Sequence, residues 1–316
     1  MPDPLARLQS ALAGRYPSER PLGRGGMARV YLADDVQRGG RVALKVLHPD
    51  LAAGNSARFA REIQLAAQLD HPNVLAVVDS GDANGLLWYA MPFIEGETLR
   101  DRLNRENSLP VAEVLRITRQ VGAALDCAHG KQIVHRDVKP ENILLDDGQA
   151  LVADFGVARA IGGESTRITA TGMTVGTPTY MAPEQALGER EVDGRADLYA
   201  LGCVTYEMLT GTPPYRGPSP RAILTQSLRD PVPSVHAVRE TVPLAVDRVL
   251  ERALAKAAAD RFATGAEFAA ALDRAFATPM RGDTAEMPTL QPVRKPPSGG
   301  RLSEIISTIF GGRPRP

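Results

Sequence analysis

The sequence predicts an α+β fold in two parts, a strand-rich segment that carries one helix and then a larger, mostly helical segment. Two observations lead to this prediction. Short apolar runs and glycine-containing turns follow one another in residues 16–91, whereas residues 97–277 hold several long stretches with helical spacing of apolar side chains. The composition, with 43% hydrophobic and 23% charged residues, is typical of a soluble globular protein.

The strand-rich segment starts with two extended runs that a turn at 23–26 (GRGG) separates. Residues 42–47 (VALKVL) are predicted as a short apolar strand that carries one lysine, and residues 56–69 have helical periodicity. Two further strands are expected at 74–78 and 86–90, with a turn at 81–85 between them.

The second segment is predicted to be helical apart from one hairpin. Residues 111–130 form a long amphipathic helix, and two short strands flank the turn at 146–148. Further helices are expected at 195–210, 243–256 and 264–277, of which the last is rich in alanine.

Charge and cysteine content narrow the function classes. The 37 basic and 37 acidic residues balance, so we expect no nucleic-acid partner. Cys127 and Cys203 lie in apolar helical patterns and are interpreted as small buried hydrophobic residues, which favours a reducing compartment. Neither a signal peptide nor an apolar run of about 18 residues is present, so we expect a cytoplasmic protein without a transmembrane segment.

Residues 135–142 (HRDVKPEN), followed by 154–156 (DFG), hold the groups that phosphoryl transfer needs. Asp137 can accept a proton from a hydroxyl nucleophile, while Asn142 and Asp154 can hold Mg²⁺, or Mn²⁺ in its place, against the phosphates of ATP. This combination resembles the catalytic loop and metal motif of bacterial eukaryotic-like Ser/Thr protein kinases, members of the protein kinase superfamily.

The resemblance covers about residues 16–277 and implies the two-lobe protein-kinase fold. A small antiparallel-sheet N-lobe with one main helix is expected at 16–91, a hinge at 92–96, and a larger, mostly helical C-lobe at 97–277.

Two terminal segments lie outside the resemblance. Residues 1–15 are interpreted as an N-terminal leader, and residues 278–316 as a tail rich in proline, glycine and arginine. A short amphipathic stretch at 302–310 leaves two readings of the tail open: a disordered linker, or a helix that docks onto the kinase, a partner or an anionic membrane.

The resemblance implies a nucleotide site between the lobes. The glycine loop would approach the phosphates, although several glycines in a row are often only a turn, and Ala28 stands where the family has a third glycine. Lys45 would bind phosphates and pair with Glu62, for which a solvated helix charge is the alternative. Pro92 would accept from adenine through its carbonyl and Ile94 would donate its N–H. The remaining residues assigned to this site are Leu22, Gly23, Gly25, Gly26, the apolar Val30, Ala43 and Leu144, and Met91 as gatekeeper.

Catalytic and scaffold roles follow from the same resemblance. Asp137 would orient the acceptor hydroxyl, Lys139 would neutralise the transferred phosphoryl group, and Thr177 would hydrogen-bond both. Residues 154–184 resemble an activation segment, in which a phosphothreonine would pair with Arg136. The phosphorylation candidates are Thr169, Thr171 and Thr174, and the implied scaffold contacts are His135 with Phe155, Asp197 with the catalytic-loop backbone, and Arg261 with Glu184.

These assignments predict a Ser/Thr protein kinase that transfers the γ-phosphoryl group of ATP to protein hydroxyls and acts in signalling. Its partners would be protein substrates and a transient homodimer for autophosphorylation in trans. A pseudokinase scaffold of the same fold is the first alternative, and a small-molecule phosphotransferase of related fold is the second. The first would need a lost motif, and the second would lack the full segment ending at 182–184 (APE).

Overall fold

The computed structural model describes residues 10–12, 14–25, 28–49, 55–83, 85–157 and 178–278. Several predictions therefore lie outside the described residues. These are the predictions for Gly26, for Thr169, Thr171, Thr174 and Thr177, and for the stretch 302–310.

The N-lobe is one antiparallel sheet of five strands, in the order β1-β2-β3-β5-β4. Its β-branched and aromatic residues lie in the three central strands at 28–34, 41–47 and 86–92, and buried side chains cover both faces of the sheet. The strands are β1 (Ser18–Arg24), β2 (Ala28–Asp34), β3 (Arg41–Leu47), β4 (Asp79–Ala83) and β5 (Leu86–Pro92).

One helix, α1 (Ser56–Ala66), covers the face of the sheet that looks toward the C-lobe. Its buried residues Phe59 and Ile63 are spaced one turn apart and pack with Leu47 and Tyr89 of the sheet. The opposite face packs around Tyr16 and Trp88, whose rings meet edge to face at 5.5 Å.

The strand predicted at 74–78 is wrong, because β4 lies further along the chain at Asp79–Ala83. Residues 74–78 form no strand, although Val74 makes an isolated bridge with Val152. The backbone N–H of Leu75 donates to Val152 O at 2.9 Å, and that of Val78 donates to Ala90 O at 2.9 Å. The residues of this segment are apolar because they are buried against both lobes. Their pattern therefore resembles that of a buried strand. The turn is also shorter than predicted, with Gly85 in the left-handed region at φ +81°.

The C-lobe is mostly helical, as predicted, and carries a small three-stranded sheet next to the N-lobe. Its strands are β6 (Glu97–Thr98), β7 (Ile143–Asp146) and β8 (Gln149–Val152). Its helices are α2 (Leu99–Glu106), α3 (Val111–Gly130), α4 (Pro183–Ala186), α5 (Arg195–Thr210), α6 (Pro220–Arg229), α7 (Val235–Val238), α8 (Leu244–Ala253) and α9 (Gly265–Ala277), with short 3₁₀ turns at 140–142, 178–180 and 258–260.

Helix α5 forms the centre of this lobe, since its residues are buried on every side from Ala196 to Leu209. Cys203 lies within it as a buried apolar residue, whereas Cys127 on α3 is half-buried; both thiols are free. Helices α3 and α9 cross at Gly122 and Gly265, where the two backbones touch.

A buried ion pair connects Glu184 of α4 to Arg261, as predicted. Arg261 donates through Nη1 and Nη2 to the two carboxylate oxygens of Glu184, each at 2.7 Å. Among the described residues, no helix has the length and apolarity that crossing a lipid bilayer requires.

Candidate active site

A cleft of about 270 Å³ opens between the N-lobe sheet and strand β7. The N-lobe wall of the cleft is formed by β1, β2 and β3, because alternate residues of these strands face the cleft. Four predicted site residues in the described part of the chain do not line it: Gly25, Glu62, Asp137 and Lys139. The predicted site residues that line it are Leu22, Gly23, Val30, Ala43, Lys45, Met91, Pro92, Ile94, Asn142, Leu144 and Asp154.

The back of the cleft is the segment that connects the lobes. The N–H of Phe93 is bonded to Arg41 O at 3.0 Å, so this donor belongs to the sheet. The neighbouring Pro92 and Ile94 both line the cleft, and the binding of adenine by the carbonyl of Pro92 and the N–H of Ile94 stays a prediction. Gly96 follows directly, and a Cβ at this position would lie 1.9 Å from Leu145 O. Only glycine allows the connection to pass so close to β7.

Lys45 binds Asp154 in this structure, where the sequence predicted an ion pair with Glu62. The Lys45 ammonium contacts Asp154 Oδ2, and the two side chains are 20% and 11% exposed. Glu62 is buried on α1, and its main-chain oxygen lies next to Gly156, at 3.2 Å from where a Cβ would stand. In the described part of the chain, the ion pair of Lys45 is therefore with Asp154.

Both oxygens of Asp154 are hydrogen-bonded, since the hydroxyl of Tyr89 donates to Oδ1 at 2.6 Å. Burial favours a raised pKa of the Asp154 carboxyl, but the charge and hydrogen bond of Lys45 outweigh it and lower the pKa below its ordinary value. Burial, together with the Asp154 charge, raises the pKa of Tyr89 well above its ordinary value. Tyr89 is therefore a neutral donor, and Asp154 is ionised.

The catalytic loop is held from below by Asp197 of α5, as predicted. Its carboxylate accepts from the backbone N–H of His135 at 2.8 Å and of Arg136 at 2.7 Å. These two bonds support the left-handed conformation of Arg136, at φ +66°. His135 also packs edge to face on Phe155 at 4.6 Å, which confirms its predicted structural contact.

Asp137, Lys139 and Asn142 converge at the floor of the site. Lys139 Nζ lies 2.7 Å from Asp137 Oδ2, and Asn142 Nδ2 donates to the same oxygen at 3.0 Å and to Asp137 O at 2.8 Å. The amide of Asn142 is thereby oriented, because its nitrogen faces Asp137 and its oxygen is directed away.

Asn142 and Asp154 fit a hard divalent cation, since an amide oxygen and a carboxylate are the ligand types that such ions prefer. Both residues line the cleft. No group of three or more His, Cys, Asp or Glu side chains in the described part of the chain could hold a metal by itself. A cation held by two protein ligands would take its remaining oxygens from phosphates and water.

Comparison with known proteins decides the family. Residues 16–271 match the protein kinase domain family. The chain belongs to the protein kinase family. Its kinase domain is similar to Ser/Thr-protein kinase PknB of Mycobacterium leprae, with 43% identity over 271 residues that cover 83% of this chain and 43% of PknB. It is also similar to Ser/Thr-protein kinase PknD of Mycobacterium tuberculosis, with 42% identity over 84% of this chain and 40% of PknD.

A solved structure shows the same fold. The Mycobacterium tuberculosis PknI kinase domain aligns with a TM-score of 0.68 and 38% identity, over 82% of this chain and 96% of that one. The chain spans less than half the length of the curated relatives PknB and PknD.

Several residues of this kinase domain were missed by the sequence analysis. Alternation along β5 could have placed Tyr89 on the face of Met91, whereas nothing local predicts its contact with Asp154. Arg100 on α2 forms an ion pair with Glu207 at 2.8 Å and with Glu141 at 2.9 Å. The cleft residues that were missed are Leu75, Thr98, Glu141 and Ala153, while Phe93, which also lines the cleft, lies in the predicted hinge.

Proposed function

We propose that this chain is an active Ser/Thr protein kinase that transfers the γ-phosphoryl group of ATP to protein hydroxyls. The observation that carries the proposal is that Asp137 is hydrogen-bonded to both Lys139 and Asn142, and that Asn142 lines the same cleft as Lys45 and Asp154. A base for the nucleophile, cations for the phosphates and two metal ligands are the groups that phosphoryl transfer requires.

Each of these residues would have its own role in the reaction. Asp137 would accept the proton of the acceptor hydroxyl, and Lys139, already 2.7 Å from it, would compensate negative charge on the transferred group. Lys45 would exchange Asp154 for the phosphates of the nucleotide. The apolar walls formed by Val30, Ala43 and Leu144 would hold the adenine ring. Leu22 and the loop at 23–26 would cover the phosphates.

We propose Mg²⁺ as the metal, with Mn²⁺ as a substitute, held by Asn142 and Asp154. When bound, the metal would neutralise phosphate charge. The chain's contribution is to present one amide oxygen and one carboxylate at the same end of the cleft. We further propose residues 16–277 as the kinase domain and a cytoplasmic location, which both stay predictions.

Two substitutions test the activity. Asp137→Asn should lower autophosphorylation by about 10³-fold or more, the equivalent of about 4 kcal/mol of transition-state stabilisation, and Lys45→Met should do the same. Asp146→Asn, an exposed change of the same chemistry at the end of β7, is the matched control and should keep wild-type turnover. Near-normal phosphate incorporation by Asp137→Asn would contradict the proposed role.

The activating event is proposed to be phosphorylation in trans of the activation segment, with Thr169 and Thr171 favoured over Thr174. Phosphate there would pair with Arg136. Replacing Thr169 and Thr171 by alanine should lower activity on an exogenous substrate at least about tenfold, or about 1.4 kcal/mol. Thr225→Ala on α6 is the control. A double variant as active as wild type would refute this step.

Mixing tests the transient homodimer. Active protein should phosphorylate the inactive Asp137→Asn chain within its activation segment, and mass spectrometry would locate the sites. Absence of label on the inactive chain would mean that autophosphorylation occurs within one molecule and would contradict the transient homodimer. A wild-type chain that binds ATP but transfers no phosphate would favour the pseudokinase alternative. Transfer to sugars or amino acids, with none to proteins, would favour the small-molecule alternative.

A further inference from the structure

We infer that Tyr89 is a positioning residue that sets the affinity of the site for its metal by orienting Asp154. The inference rests on the proposed function and concerns a residue that does not itself contact the nucleotide cleft. Tyr89 is fully buried on β5, and the residues that line the cleft do not include it. Its hydroxyl reaches the cleft only through Asp154 Oδ1, at 2.6 Å.

The sheet register places Tyr89 where it can serve both members of the Lys45–Asp154 pair. Tyr89 on β5 is directly opposite Lys45 on β3, so the two side chains leave the same face of the sheet. The Lys45 ammonium lies 5.9 Å from the centre of the Tyr89 ring, and Phe59 of α1 packs on that ring at 6.3 Å. These neighbours fix the position of the Tyr89 ring, so its hydroxyl points toward Asp154.

The two hydrogen bonds of Asp154 differ in what happens when nucleotide and metal bind. Lys45 holds Oδ2 and would leave it for the phosphates, which frees that oxygen for the metal. Tyr89 donates to Oδ1 and does not line the cleft where the phosphates would bind, so its bond to Asp154 would persist. A carboxylate whose second oxygen is fixed by a buried donor is held ready for the metal, as supporting hydrogen bonds do in other metal sites.

Removal of the hydroxyl should weaken metal binding about tenfold, which is the range found for such supporting contacts. The probe is a fluorescent ADP analogue, whose dissociation constant is measured in EDTA and over a series of Mg²⁺ concentrations. In Tyr89→Phe, the Mg²⁺ concentration for half of the metal-dependent gain in affinity should rise about tenfold. Affinity in EDTA should stay within about twofold, because Tyr89 does not line the cleft.

The matched control is Tyr16→Phe, which removes the same kind of bond elsewhere in the N-lobe. Tyr16 is also fully buried and donates to Asp79 at 2.8 Å, on the opposite face of the sheet. In Tyr16→Phe, the Mg²⁺ dependence of the affinity for the ADP analogue should equal that of wild type. Tyr89→Met serves as a second variant that lacks the hydroxyl while filling a buried site with a flexible apolar side chain.

The outcomes separate this inference from the proposed function. A wild-type protein whose nucleotide affinity does not respond to Mg²⁺ would overturn both. A normal response in wild type with an unchanged Mg²⁺ requirement in Tyr89→Phe and Tyr89→Met would overturn this inference alone. Loss of nucleotide binding already in EDTA in both variants would make Tyr89 a structural residue and would also overturn it.

Discussion

Removal of the Arg261 guanidinium should destabilise the kinase domain more than any loss of a surface ion pair. All five N–H groups of this side chain have acceptors. Two donate to the oxygens of Glu184 at 2.7 Å, and the others donate to Ala255 O at 2.8 Å, Arg195 O at 3.1 Å and Lys256 O at 3.2 Å. The side chain is 0% exposed, and that of Glu184 is 8% exposed.

The magnitude follows from what Arg261→Met leaves behind. Glu184 becomes a buried carboxylate without its cation, which costs about 3–5 kcal/mol. Three carbonyls also lose a donor, although each retains the chance to bond water as the site relaxes. We therefore expect a loss of about 4 kcal/mol in the free energy of unfolding, out of the roughly 5–15 kcal/mol that a domain has. At about 2–4 °C per kcal/mol, the melting temperature should fall by about 10 °C.

Urea unfolding followed by circular dichroism measures this difference, and a surface pair supplies the control. Arg119 Nη2 donates to both carboxylate oxygens of Asp273, at 3.0 and 2.9 Å, but these side chains are 58% and 38% exposed. Arg119→Met should cost less than about 1 kcal/mol. Adding Glu184→Gln to Arg261→Met should recover about 2 kcal/mol, because the buried charge is removed. Equal losses for the two arginine variants would refute the reasoning.

Three further predictions concern the C-lobe. Gly265→Ala should destabilise the domain by about 1–3 kcal/mol, since its Cβ would lie 2.4 Å from Gly122 O, whereas Gly130→Ala meets nothing within 4 Å and should be neutral; denaturant unfolding of both would show the contrast. Asp126→Ala should cost about 1 kcal/mol in the same assay, because Asp126 accepts from the first N–H groups of α9 at 2.7 and 2.9 Å, and an unchanged midpoint would contradict this capping role. Burial lowers the pKa of Lys256 to about 8, so its Cε signal in ¹³C NMR should titrate near pH 8 rather than above 10. Since the folded pKa is depressed, the unfolded chain binds more protons just above pH 8, and this group should make stability rise there; a titration midpoint above 10 would refute it.

Much of the fold could be predicted because the responsible signals are local. Helices α3 and α5 begin and end where the periodicity of their apolar residues does, at 111–130 and 195–210. The segment 74–78 shows the limit of this reasoning. Apolar residues there are buried against two lobes, so the pattern reports burial and cannot tell a paired strand from an extended connection.

The candidate site was also predictable only in part. The residue types at 135–142 and 154–156, together with the lysine of β3, indicated phosphoryl transfer and the resemblance to protein kinases, and that resemblance implied most of the cleft lining. These groups are recognisable because phosphoryl transfer needs them at short, fixed spacings along the chain.

Only the tertiary structure decided which side chains meet across long sequence separations. Lys45 and Asp154 are 109 residues apart, and Tyr89 and Asp154 are 65 residues apart. Their contacts depend on the register of β3 with β5 and on where α1 lies against Gly156. Lys45 therefore binds Asp154 rather than Glu62 in this structure. Local sequence sets which groups can act, whereas packing of distant elements sets the partner of each charge, because an ionic contact is decided by distances of a few ångströms in three dimensions.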